Sequence, residues 1–317
     1  MPFQRNVILG VVGDSAAGKT TITKDIARVL GDERVTVICT DDYHRYNRKQ
    51  RKELNINALD PACNYIDIME QHLDLLRRGH PILKPVYNHS SGDFDPPEYI
   101  EPREFIIAEG LLGFHTKALR RPFDIKVFLS PEEDLRIQWK IKRDTAKRGY
   151  TDQEVLAELE MREPYSAAYI RPQQDYADIV ISFKRPAEQP QEAGSHLDVQ
   201  LKLRPTLPHP DLTEIIERQE DHALSSDILR EEGRLVEAIT IDGNIQTEQA
   251  AQIEKIIRDR VPDLRLPAPD DFGEYQDGRE KRQSHTLALS QLLIAYHMLL
   301  ARKELELEIA ERVKKLI

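Results

Sequence analysis

The chain has 317 residues, about two domains at ~150 residues each, which excludes a mini-protein held together by staples. With 40% hydrophobic and 32% charged residues it has the composition of a globular protein, which rules out a wholly disordered chain. Its 45 Lys and Arg against 55 Asp and Glu give a net charge of −10; this argues against bulk electrostatic binding to nucleic acid or an anionic membrane, and leaves room for a local basic pocket that receives a small phosphorylated ligand.

In chain order, the first half alternates β-branched apolar runs with helical patterns. NVILGVV near residue 6 predicts a buried strand, followed by a helix from Lys19 that stops at the C-cap signal Gly31. VTVIC near residue 35 predicts the next strand. Tyr65, Ile68, Met69, Leu73 and Leu76 then recur at three and four residues and predict a helix ending before Gly79. YNHSSGDFDPPEYIEP, from Tyr87, reads as a loop rich in turn formers. EFIIAE near 104, DIKVFL near 124 and DIVISF near 178 complete a set of continuously apolar strands, the pattern of a parallel sheet covered on both faces. Between the last two, Ser130 and Glu133 predict a capping box with Pro131 at the first helical position, opening a helix through PEEDLRIQWKIKRDTAKRG. The repeated βαβ order predicts an α/β fold with a doubly wound, mostly parallel sheet.

KRPAEQPQEAGSH after residue 185 reads as a connector, giving a core of residues 1–185 and a carboxy-terminal α+β region of residues 186–317 that extends or packs on it. HLDVQLKLRPT and AITIDG predict strands, TEQAAQIEKIIRDRV an amphipathic helix, and LALSQLLIAYHMLLARKELELEIAERVKKLI a closing helical pair whose apolar face suits core packing or subunit contact, with a homodimer as the expected assembly. Cys39 and Cys63 are too few for a disulfide scaffold and form no Cys-x-x-Cys motif. The amino-terminal apolar stretch is broken by glycines and lacks a cleavage site, and the longest later one contains Ser290, Gln291 and His297 and falls short of ~20 apolar residues. A cytoplasmic protein without a membrane span is expected.

The sharpest motif is Gly13-Asp14-Ser15-Ala16-Ala17-Gly18-Lys19-Thr20, with Thr21 following: the phosphate-loop pattern G-x-x-x-x-G-K-[ST] between an apolar strand and a helix. Glycines let the backbone close around phosphates, unpaired N–H groups at the helix start face them, Lys19 neutralises β/γ charge, and Thr20 can ligate Mg²⁺. The second strand ends in Thr40-Asp41-Asp42-Tyr43-His44, followed by Arg45, Arg48, Lys49, Arg51 and Lys52. A carboxylate at that sheet edge borders the ligand crevice and can accept the proton of an attacking hydroxyl; the bland alternatives are an N-cap aspartate and a solvated basic run. Glu109, ending EFIIAE, reaches the same edge and suits Mg²⁺, a structural hydrogen bond being the alternative. Lys140, Arg143, Asp144 and Arg148 lie at i, i+3, i+4 and i+8, so three cations share roughly one helix face, either as a solvated ion-pair face or as a lid over ATP. Tyr87 and His89 are positioned in their loop to hydrogen-bond a polyol, although solvated loop residues of these types are common.

Together, GDSAAGKT, VICTDDYHRYNRKQRK, YNHSSGDFDPPE, AEGLL and KIKRDTAKRGY, in this order over about residues 6 to 185, resemble the phosphoribulokinase and uridine kinase family of P-loop kinases, and within it the phosphoribulokinases. The resemblance implies a P-loop kinase fold and Mg²⁺- and ATP-dependent phosphorylation of D-ribulose 5-phosphate at its 1-hydroxyl, yielding the ribulose 1,5-bisphosphate used in the Calvin cycle to fix carbon dioxide. By position it implies that Asp41 is the base, that His44, Arg48 and Lys52 contact the sugar phosphate, and that Tyr87 and His89 belong to the substrate loop. It likewise assigns Glu109 to the magnesium site and Lys140, Arg143, Asp144 and Arg148 to a lid around ATP and the transferred phosphate. Chloroplast-type relatives carry a regulatory cysteine in the phosphate loop, where this chain has Ala17, and a second one before the DDYH motif, where it has Cys39. The rival readings are a uridine kinase-like enzyme, which needs a base pocket in place of a cationic phosphate site, and a non-catalytic ATP-binding regulatory protein.

Overall fold

The computed structural model describes residues 5–316 except 189–190, 193, 210–211, 213–215, 217–222, 232, 261–271 and 278–279. In chain order the first half comprises β1 (Val7–Gly13), α1 (Lys19–Leu30), β2 (Val35–Cys39), α2 (Arg48–Glu53), α3 (Ile66–Arg77), β3 (Ile82–Asn88), β4 (Asp93–Ile100), β5 (Phe105–Gly110), α4 (Lys117–Arg120), β6 (Ile125–Leu129), α5 (Glu133–Arg148), α6 (Asp152–Tyr165) and β7 (Ile179–Lys184). The rest adds β8 (Asp198–Leu203), β9 (Leu224–Glu231), β10 (Arg234–Ile241), α7 (Thr247–Arg260), β11 (Glu274–Asp277), β12 (Glu280–Gln283) and α8 (His285–Leu316).

Eight strands form one sheet in the order β2-β5-β1-β6-β7-β8-β10-β9. The first five run parallel, and the last three join antiparallel, so the chain after residue 185 widens the same sheet. Strand alternation explains why the central runs are apolar throughout. Val7, Leu9 and Val11 of β1 pack on one face with Ile22 and Ile26 of α1, while Ile8 and Val12 pack on the other with Met69 and Leu73 of α3.

Three local expectations change. Ser130 does not cap α5, whose N-cap is Glu132 without a side-chain cap bond; Ser130 N and Glu132 N instead donate to Ile181 O (2.8 Å) and Phe183 O (3.0 Å), so this segment runs on beside β7 before the helix can begin. The turn-rich segment from Tyr87 is not a loop but the end of β3, a tight turn and β4, paired antiparallel with a register shift between Lys84 and Val86. It looks like a loop in sequence because β4 is exposed along nearly all its length and carries Pro96 and Pro97, which only a free edge or a bulge tolerates. The expected closing helical pair is one 32-residue helix, α8, because nothing between His285 and Leu316 is glycine or proline. Part of the connector, residues 189–190 and 193, lies outside the described residues.

The carboxy-terminal region is fastened to the helix that follows the phosphate loop. Gly273 N donates to Asp25 Oδ2 and to Gln291 Oε1, both at 3.0 Å, and Gln291 Nε2 donates to Thr21 O at 3.2 Å. Asp25 is fully buried, and burial raises its pKa against the lowering effects of Arg28 and these backbone donors. Among the described residues no helix is long and apolar enough to cross a membrane.

Candidate active site

The carboxyl ends of three adjacent parallel strands, β2, β5 and β1, meet at one edge of the sheet, where ligands bind in open α/β folds. The loop after β1 turns sharply into α1 through Gly18, whose φ of 94° is left-handed and free of Cβ strain only for glycine. No side chain caps α1, so its first N–H groups remain available to an anion. Lys19 folds back over the loop, its Nζ donating to Gly13 O (2.9 Å) and Asp14 O (3.0 Å), and Arg136 Nη1 donates to Ser15 O (3.0 Å). Ala17 is fully buried in the core, and Ala16 holds a φ of 65°. The carboxylate of Asp14 is taken up by Ser15 N (2.7 Å) and the Ser166 hydroxyl, so this side chain shapes the loop.

Thr20 Oγ1 donates to both oxygens of Glu109, at 3.0 and 3.2 Å, joining the start of α1 to the end of β5. Glu109 is buried, and burial pushes its pKa up despite Lys19 and the Thr20 hydrogen bond. A buried carboxylate beside a hydroxyl is a hard-oxygen pair that suits Mg²⁺, an ion that takes its other ligands from substrate phosphates and water. Among the described residues no group of three or more His, Cys, Asp and Glu gathers into a self-sufficient metal site.

A cavity of about 660 Å³ opens above the loop, lined by Ala16 to Thr21, by Trp139, Lys142, Arg143 and Arg148 around α5, and by the β11–β12 hairpin. Arg143, Arg148 and Lys140 converge on one fully buried carboxylate, Asp144, at 2.8, 3.3 and 2.8 Å. Burial alone would raise the Asp144 pKa, but hydrogen bonds from Arg143 and Lys140 outweigh it and hold the carboxyl at about 2. The shared helix face is therefore a three-cation hub. Lys140 is fully buried within it and reaches Glu158 at 3.5 Å, whereas Arg143 comes within 3.5 Å of Ser15 Oγ and borders the cavity.

On the other side of Glu109, a short 3₁₀ turn at Thr40–Asp42 carries both aspartates. The turn lies so close to β5 that a Cβ on Gly110 would fall 1.9 Å from Thr40 Oγ1 and 2.8 Å from Asp41 Oδ1, which makes glycine obligatory there. Asp41 Oδ1 accepts from Leu111 N at 2.8 Å, and its second oxygen has no hydrogen-bond partner among the described residues. Asp42 is spent differently: buried, it is ion-paired to buried Lys84 of β3 and accepts from Tyr87 N at 3.3 Å. It anchors the β3–β4 hairpin.

That hairpin closes the Asp41 side of the site. Tyr87 packs edge-on between His44 (4.6 Å between centroids) and His89 (5.0 Å), and its hydroxyl accepts from Arg51 Nη2 at 2.6 Å. Buried His44 donates from Nδ1 to Asn64 Oδ1 at 2.8 Å, an amide oxygen that can only accept; burial and the nearby Arg51 depress its pKa to about 4, so the ring is neutral at pH 7. Arg48 Nη2 donates to His89 O at 2.6 Å, while Lys52 is exposed on the same helix, α2. The structure thus brings Asp41, His44, Arg48, Tyr87 and His89 together. Arg51 was visible only as one cation in a basic run, and Lys84, Asn64, Arg136 and Ser166 gave no signal in the sequence, since each acts through a partner distant along the chain. Cys39 and Cys63 are both free thiols.

The sequence pattern of the phosphoribulokinase / uridine kinase family matches residues 8–188, more than half of the chain. The chain belongs to that family. The phosphoribulokinase of Synechocystis sp. is 44% identical over 179 residues, covering 56% of this chain and 54% of that protein. The uridine kinase of Chloroflexus aggregans is 33% identical over 180 residues, covering 55% of this chain and 85% of that protein. The chain spans about half the length of the curated phosphoribulokinases it matches. A solved phosphoribulokinase from Rhodobacter spheroides superposes with a TM-score of 0.59 at 20% identity, covering 83% of this chain and all of that one, and shares the fold. The family match takes in the phosphate loop, the DDYH turn, Glu109 and α5, and stops before the β11–β12 hairpin that walls the cavity.

Proposed function

We propose that the protein is an Mg²⁺- and ATP-dependent kinase that phosphorylates D-ribulose 5-phosphate at its 1-hydroxyl. The observation that carries this reading is the position of Asp41: one oxygen pinned by Leu111 N, the other open, between the Thr20–Glu109 pair and the His44–Tyr87–His89 cluster. The phosphate loop and Lys19 bind and neutralise the triphosphate, and Thr20 and Glu109 hold Mg²⁺, which when bound screens charge on the phosphates. Arg48 and Arg51 supply cations for a sugar phosphate, as Lys52 does from the exposed side of α2, while neutral His44 and His89 offer hydrogen bonds to its hydroxyls. Asp41 accepts the proton of the attacking hydroxyl, and Arg143, held by Asp144, meets charge spreading onto the transferred group. Phosphoryl transfer asks little covalent work of the protein, so positioning and electrostatics carry the rate. The same reading makes ATP and ribulose 5-phosphate the partners and places the enzyme in the cytoplasm.

The test is product formation with Mg-ATP and, separately, ribulose 5-phosphate, ribose 5-phosphate and uridine, with Lys19→Met as the control that must be inactive. Preference for uridine would assign the chain to the nucleoside kinases, and turnover of none of the three would leave a nucleotide-binding protein without this activity.

A further inference from the structure

Three features of the β11–β12 hairpin converge on the nucleotide cavity. Its base is tied to α1, with Gly273 N and Glu274 N donating to buried Asp25 Oδ2 at 3.0 and 3.1 Å. Its outer end is tied to α5 by an ion pair between Asp277 and Lys142, with Arg282 also 3.3 Å from Asp277. Between these ties, Tyr275, Gln276 and Asp277 line the same cavity as the phosphate loop and Trp139. The hairpin therefore bridges the helix that starts at the phosphates and the helix that carries Arg143.

We propose that this hairpin, a part of the chain outside the family match, is the nucleoside-recognition wall of the site, with Tyr275 facing the base-and-ribose part of the nucleotide. The inference rests on the cavity being an ATP site. The triphosphate is held by the loop amides and Lys19, so the rest of a 660 Å³ cavity, well within the ~300–1,000 Å³ of small-ligand pockets, belongs to the nucleoside. That remainder has aromatic surface from Trp139, Phe183 and Tyr275, the material on which a planar base is held. The hairpin's charges are not left facing the phosphates: Glu274 is met by Arg28 (3.5 Å) and Lys281 (3.4 Å), and Asp277 by Lys142 and Arg282. Tyr275 is itself held in place, its hydroxyl 2.7 Å from Ser195 Oγ and so near Gly194 that a Cβ there would meet it at 2.4 Å. A ring fixed from behind by the connector and exposed in front to the cavity is pre-organised for binding.

The experiment compares Mg-ATP with inorganic tripolyphosphate by calorimetry, and follows the emission of Trp139, the chain's single tryptophan, to locate binding in this cavity. In the unaltered protein ATP should bind at least ~10-fold tighter than tripolyphosphate, ~1.4 kcal/mol in favour of the nucleoside. Tyr275→Ala should erase most of that ratio by weakening ATP alone; Tyr275→Phe, which keeps the ring and loses only the bond to Ser195, should keep it within about twofold. Asp277→Asn, which frees the hairpin from α5 with little change in size, is the second variant and should lower the same ratio. If Tyr275→Ala leaves the ratio unchanged, or weakens both ligands equally, the hairpin is not a nucleoside wall. Failure of the unaltered protein to bind either ligand would overturn the phosphate-site reading itself, and the inference with it.

Discussion

The adjacent aspartates give the most discriminating prediction, because the structure gives them opposite surroundings and the proposed function gives them different jobs. Asp41→Asn preserves an oxygen that can accept from Leu111 N and removes only basicity, so stability should hold within ~0.5 kcal/mol while kcat falls at least ~10²-fold, the usual scale of general-base catalysis. Asp42→Asn removes the charge opposite Lys84, which is only 4% exposed. Breaking a buried ion pair by neutralising one partner costs ~3–5 kcal/mol. Lys84 retains Pro85 O at 3.2 Å and Glu98 at 4.0 Å, so the lower figure of ~3 kcal/mol is expected, a fall in Tm of ~4–5 °C for a chain of 317 residues. Because Asp42 also holds Tyr87 N, the hairpin should loosen and the KM for the sugar phosphate should rise more than kcat falls. Removing both charges in Asp42→Asn/Lys84→Met should recover much of the lost stability, since a buried site is served better by two neutral groups than by one orphaned ion. Calorimetric melting of the three variants, with steady-state kinetics of each, decides the matter. An Asp42→Asn enzyme with unaltered Tm and a kcat as low as that of Asp41→Asn would refute the division of labour.

On the proposed reading, Arg48→Ala should chiefly raise the KM for the sugar phosphate and Arg143→Ala should chiefly lower kcat, since loss of ground-state binding and loss of transition-state stabilisation separate that way; steady-state kinetics with each substrate varied would expose the opposite pattern. His44 is neutral and buried with a pKa depressed to about 4, below its unfolded value of ~6.5, so the unfolded chain binds the extra proton: the stability it contributes is complete above pH ~6.5 and is lost as pH falls toward 4, about 2 kcal/mol of it between pH 7 and 5. Urea unfolding at those two pH values should show that difference shrinking in His44→Gln. Oxidation should not switch activity reversibly: Ala17 leaves no thiol in the phosphate loop, and burial together with Asp41, Asp42 and Glu109 pushes the Cys39 thiol well above its usual range, keeping it protonated and unreactive. Loss of activity that dithiothreitol restores, and that disappears in Cys39→Ser or Cys63→Ser, would contradict this.

Much of the parallel-sheet core could be read directly because its signals are local. The phosphate loop needs eight consecutive residues and two flanking elements, all of which lie next to each other in the chain. The five parallel strands announce themselves by apolar runs that both sheet faces require, and Asp41 and Glu109 by standing at strand ends. Where a polar strand sits exposed, as β4 does, that signal vanishes and a hairpin passes for a loop.

Tertiary structure decided what pairs with what. Asp41 and Asp42 are indistinguishable as neighbours in sequence; only the approach of Lys84, 42 residues on, makes one a structural anchor and leaves the other open. Three cations on one helix face could have been a solvated stripe, and it is the burial of Asp144 that gathers them into a hub. The carboxy-terminal hairpin reaches the phosphate-loop helix across a separation of 248 residues, through Gly273 and Asp25. No periodicity or motif encodes such a contact, because a buried carboxylate selects its donors by where the whole sheet and its covering helices place them, not by their distance along the chain.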